Sequence, residues 1–109
     1  MPKLPIFIGL LMVAALAGCA SPGQPTGSKL TSKSPDAYAA CVLPKWQALA
    51  PLATQKSISN GYRLTAPSAV ASDDVLEVVK SGDGSRATFY KGSFLTTDQL
   101  RKAARECLD

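Results

Sequence analysis

An apolar run from Leu4 to Ala17, preceded only by the amino terminus, Pro2 and Lys3, constrains this chain more than any other stretch. A charged start and then a short apolar segment is the pattern of a secretory signal. A bilayer crossing takes about 20 apolar residues, and this run is shorter, with no charged stop-transfer flank behind it. The segment is therefore expected to be removed on export, so that the fold is built from the residues after position 18. That remainder suffices for one small domain, in the size range where a hydrophobic core alone is marginal and a covalent staple helps.

The run closes on Leu16-Ala17-Gly18-Cys19, which resembles the lipobox of bacterial lipoproteins. The resemblance implies that the Cys19 thiol takes a diacylglyceryl group, that a signal peptidase cuts just before it, and that the new amino terminus is acylated. Each buried CH₂ contributes about 0.8 kcal/mol, so one chain holds weakly and two or more anchor stably. Ala20, standing where an aspartate would direct retention, implies delivery to the outer membrane with the domain facing the periplasm. The resemblance gives an address and an anchor, not an activity. It also resolves the count of three cysteines: with Cys19 taken by lipid, Cys41 and Cys107 remain as an even pair in an oxidising compartment and are expected to form a disulfide. A redox-active or metal-binding pair would call for close CxxC spacing or a histidine partner, and neither is present.

The formal charge is +4, of which the signal carries Lys3, leaving a mildly basic domain. So small an excess serves solubility, and the exported address makes nucleic acid an unexpected partner. The absence of histidine has more consequence. It removes the usual general base, the commonest metal ligand and the Ser-His and Cys-His nucleophile pairs together. No enzyme, cofactor or metal site is expected.

Residues 20–34 are rich in proline, glycine, serine and lysine and read, with Cys19, as an acylated and flexible tether over 19–34. The domain is then expected over 35–109. Ser34 can cap a helix whose first position suits Pro35 and whose positive end suits Asp36. Tyr38, Val42, Trp46 and Leu49 share one helical face with Cys41 at its edge, while Pro44 lies opposite, where a kink is expected. Lys45 falls within the apolar arc and is expected to carry its charge to the rim. Asn60-Gly61 signals a turn, with either a short strand at Lys56–Ser59 or a loop before it. Strands are read at Tyr62–Thr65, Asp74–Lys80 and Arg86–Lys91, the last two joined by the glycine-loaded loop Ser81–Ser85. Leu76 and Val78 face the core, and in the following strand either Ala87 and Phe89 or Thr88 and Tyr90 do so. Thr96 and Gln99 form a capping-box pattern before a closing helix that turns Leu100, Ala103, Ala104, Cys107 and Leu108 inward. The expected fold class is α+β: a small two-layer domain with N- and C-terminal helices packed on a three-stranded, or four-stranded, antiparallel sheet and one disulfide.

Partner contacts are sought among exposed basic and aromatic residues. Arg101, Lys102 and Arg105 form a basic face on the closing helix, suited to acidic lipid headgroups or a carboxylate-bearing partner, or simply to water. Tyr62, Arg63 and Tyr90 are the residue types of a protein-recognition patch. Asp73, Asp74 and Glu77 lack the spacing of a calcium loop and read as turn and strand-edge polarity. Ser81-Gly82-Asp83-Gly84-Ser85-Arg86 resembles the Ser-Gly-x-Gly-x-basic loop of the bacterial lipoprotein inhibitors of C-type lysozyme. That resemblance implies that Ser81 and Arg86 enter a target's cleft and that the fold is an all-β barrel; Ala87 stands where that family tends to have tyrosine. The expected function is a membrane-anchored, non-catalytic interaction or structural module of the cell envelope with an envelope protein as partner. The alternative is an inhibitor or immunity protein against a cell-wall hydrolase.

Overall fold

A computed structural model describes residues 24–68, 72–92 and 97–109. The chain runs β1 (Gln24–Thr31), α1 (Pro35–Leu49), β2 (Thr54–Ile58), β3 (Gly61–Ala66), β4 (Asp74–Ser81), β5 (Gly84–Lys91) and α2 (Thr97–Glu106). The strands form one antiparallel sheet in the order β1-β5-β4-β3-β2, with the helices on one face. This is the expected α+β arrangement, but the sheet has five strands rather than three or four. One extra strand is β2, where the sequence admits either a strand or a loop. The other is β1, from the segment expected to be a tether.

A core reading misses β1 because an edge strand is held by main-chain pairing along one side and needs few apolar side chains. Its register runs from Gln24 opposite Lys91 to Thr31 opposite Ser85, with an irregularity between Pro25 and Ser28. Proline and glycine, the residues that suggest a tether, are tolerated at an edge and at a bulge. Gly27 sits there at φ +119°, a backbone state that favours glycine.

The β2–β3 and β4–β5 hairpins are tight. Ile58 pairs with Gly61 around Ser59 and Asn60, the latter in the left-handed region. Ser81 pairs with Gly84, so the expected five-residue loop contracts to a two-residue turn at Gly82-Asp83. Gly61 is required by close packing, since a Cβ there would overlap the Val78 carbonyl of the neighbouring strand.

Helix α1 begins as expected: the Ser34 hydroxyl accepts from the Ala37 amide at 3.1 Å, and Pro35 occupies the first turn. Pro44 is accommodated within the helix, on its exposed side. The buried face carries Tyr38, Ala39, Val42 and Trp46, which meet Leu64 on β3, Leu76 and Val78 on β4, Phe89 on β5 and Leu100 on α2. Leu49, expected on that face, lies at the helix end and is exposed. Alternation on β5 is settled in favour of Ala87 and Phe89 as the inward pair.

The two helices are joined by more than apolar contact. Tyr38 donates to the Ala104 carbonyl at 2.7 Å and Trp46 Nε1 donates to the Leu100 carbonyl at 3.0 Å. The Cys41–Cys107 disulfide forms, with its Cα atoms 5.8 Å apart. Beyond the end of α2, Lys33 Nζ donates to the Cys107 carbonyl and Thr31 Oγ1 to the Leu108 carbonyl, satisfying groups that a helix terminus leaves bare. At the other end the buried Asp74 accepts from the Gly92 amide at 2.7 Å and from Thr97 Oγ1 at 3.0 Å, tying β5 and α2 back to β4. Asp74 is thus more than the strand-edge polarity expected of it; its role is structural because the groups it satisfies lie 18 and 23 residues away.

Candidate interaction face

Strand alternation sends successive side chains to opposite faces, and with both described helices on one face the other carries no helix among the described residues. Register assigns its residues: Lys56 and Ile58 on β2, Arg63 and Thr65 on β3, Val75, Glu77 and Val79 on β4, Arg86, Thr88 and Tyr90 on β5, and Ser28 and Leu30 on β1. Across the middle of the face Ser28, Thr88, Glu77, Arg63 and Lys56 lie opposite one another in turn. Arg63 Nε donates to Glu77 Oε2 at 2.7 Å, and Tyr90 donates to the other carboxylate oxygen at 3.4 Å. The Ser28 and Thr88 hydroxyls are hydrogen-bonded at 2.7 Å. Towards the turn at Gly82-Asp83, Arg86 stands between Leu30 and Val79.

This arrangement presents cations and apolar groups in alternation. Among the described residues Lys56, Arg63 and Arg86 share the face with one carboxylate, Glu77, which Arg63 engages. Glu77 therefore anchors both Arg63 and Tyr90. The Tyr90 phenol is held above its usual range by burial first, then by the charge and hydrogen bond of Glu77, with Arg63 opposing. It remains a donor throughout the neutral range. The sum is a basic, partly apolar surface with one ordered tyrosine, a composition that suits an acidic protein surface.

The expected contact residues divide between the two sides. Arg63, Arg86, Tyr90 and Ser81 share the helix-free face, with Ser81 and Arg86 both beside the β4–β5 turn. Tyr62 does not join them, because its neighbour Arg63 takes the opposite face; it packs against the core, where the nearby Asp36 carboxylate at the start of α1 raises its phenol above the usual range. The basic face of α2 also divides. Arg101 lies over the Phe89 ring at 5.8 Å, Arg105 is exposed on the same side one turn later, and Lys102 is exposed elsewhere on the helix. The all-β barrel implied by the 81–86 loop is not this fold, since two helices cover the sheet and β1 and β2 end it as open edges. Sequence reading turned Glu77 away from the core but missed Lys56 as a member of the face; the signal lay in the alternation of β2, and only strand pairing placed the two in one row.

Cys19 and the apolar run before it lie outside the described residues, as does Thr96. Among the described residues no group of three or more Asp, Glu, Cys or His side chains is placed to hold a metal, and no helix is long and apolar enough to cross a membrane. No protein-family model matches the chain, and neither a curated protein nor a solved structure matches it.

Proposed function

We propose that this chain is a lipid-tethered, non-catalytic interaction module of the bacterial cell envelope. Cys19 anchors it in the outer membrane, and the helix-free face of the sheet docks an acidic periplasmic protein. The observation that carries the docking surface is the convergence of Lys56, Arg63, Arg86 and Tyr90 on one face of the sheet, with Glu77 the single carboxylate among the described residues of that face. A face built from paired strands is rigid, so little ordering entropy is lost on binding. The anchor rests on the lipobox resemblance at residues 16–19.

A second reading, an inhibitor or immunity protein against a cell-wall hydrolase, draws on Ser81 and Arg86 lying together at the turn end of the same face.

A photo-crosslinking residue placed at Thr88 in the lipidated protein in cells, with one at Lys102 as control, tests the docking face. A single envelope protein captured from Thr88, not from Lys102, and lost with Arg63→Ala is the expected result. Capture from Lys102 alone refutes the assignment of the face. Capture of a lysozyme or amidase, abolished by Arg86→Ala, makes the inhibitor reading the correct one. Fractionation of Cys19→Ser tests the anchor separately: release from the membrane is expected, and unchanged fractionation refutes the lipobox.

A further inference from the structure

Helix α1 lies over β2, β3 and β4 and against α2, which leaves the β5–β1 side of the helical face less covered. A groove of about 250 Å³ opens there between α2 and the strands β1 and β5. Its apolar surface comes from Leu76, Ala87, Phe89 and Leu108. Three cations line it: Lys29 from β1, and Arg101 and Arg105 from successive turns of α2. The groove is on the opposite side of the sheet from the docking face and owes nothing to the anchor.

Among the described residues neither Lys29 nor Arg105 has an ion-pair partner. Arg101 has one, Asp98, at 3.7 Å, but that carboxylate is almost fully exposed. The Arg101 guanidinium is stacked over Phe89, and its Nε is shielded from solvent with no hydrogen-bond acceptor among the described residues. The Arg101 charge is thus held at the groove with only the exposed Asp98 carboxylate among the described residues to balance it, and an anion seated beside the guanidinium offsets that charge. The volume lies just below the range of pockets that enclose drug-sized ligands, about 300–1,000 Å³. It suits one short alkyl chain or ring rather than a folded partner.

We infer that this groove binds a small amphiphilic carboxylate, its alkyl or aryl group against Leu76, Ala87 and Phe89 and its carboxylate among Lys29, Arg101 and Arg105. The apolar and cationic elements act on different parts of the same ligand, so both are needed. The test is an NMR titration of the isotope-labelled full chain, exported and purified with the N terminus its host leaves, using octanoate, octanol and acetate as probes. Octanoate is expected to shift the amides of Lys29, Ala87, Phe89, Arg101 and Arg105 and to bind at least tenfold more tightly than octanol or acetate. The exposed pair Lys29→Gln and Arg105→Gln, made together, should lower octanoate affinity about tenfold and leave octanol unchanged. Equal affinity for octanoate and octanol, shifts outside the groove, no shift at all, or an unaltered double variant overturns the inference. So do groove shifts that depend on protein concentration without ligand, because they assign the groove to a second copy of the chain.

Discussion

Removing the disulfide with Cys41→Ala and Cys107→Ala tests how this small domain is stabilised. The crosslink spans a sequence separation of 66 residues. A loop of that length removes about 14–15 cal/mol/K from the unfolded chain on the loop-entropy estimate, or about 4 kcal/mol at 25 °C. Per-residue figures place the total stability of a domain of this size at about 4–13 kcal/mol, so the loss is a large share of the whole. It should nonetheless leave the native arrangement intact, because α2 and the residues after it are also held by Tyr38, Trp46, Lys33 and Thr31. Urea unfolding monitored by circular dichroism should therefore show one cooperative transition at a much lower midpoint, with native spectra before it. The slope should rise as well, since the uncrosslinked chain exposes more surface on unfolding. A loss below about 1 kcal/mol with an unchanged slope would refute the unfolded-state argument. A two-step transition in which helical signal falls first would show that the hydrogen bonds to the α2 carbonyls do not hold the helix by themselves.

Buried polar groups and close backbone packing give three further expected outcomes. Asp74→Ala should cost about 2–4 kcal/mol by stranding the Gly92 amide and the Thr97 hydroxyl; denaturant midpoints measure it, and a change near zero would remove Asp74 from its structural role. Tyr38→Phe should cost about 1 kcal/mol through the lost bond to Ala104. Burial also raises the Tyr38 phenol, so its contribution is fully present below the ordinary tyrosine value of 10.0 and is lost as pH rises above it, because the unfolded chain ionises first. The phenylalanine variant should accordingly lose stability less steeply between pH 10 and 11, and an identical alkaline slope counts against this. Gly61→Ala should cost about 1–3 kcal/mol by pushing β3 from the Val78 carbonyl, and a thermal melt matching the parent would show that the strand pair absorbs the methyl group without strain.

Features governed by local chemistry were legible in the sequence. The Ser34-Pro35 start of α1, the buried stripe of Tyr38, Val42 and Trp46, the inward turn of Cys107 and the existence, though not the length, of the turn between β4 and β5 each arise from a few neighbouring residues, through capping, helical period or turn preference. The cysteine pairing came from counting. The features that sequence left open or misassigned depended on partners far along the chain. Gln24–Thr31 is a strand because β5, arriving some sixty residues later, offers its free edge. Phe89 rather than Tyr90 faces the core because pairing with β4 sets Leu76 opposite Phe89 and Val75 opposite Tyr90. The same alternation separates Tyr62 from Arg63 and gathers Arg63, Glu77 and Tyr90. A chain can state locally which residues seek burial or a cap, but the side of a sheet on which a polar residue stands is a property of register. Register exists only once distant strands have met.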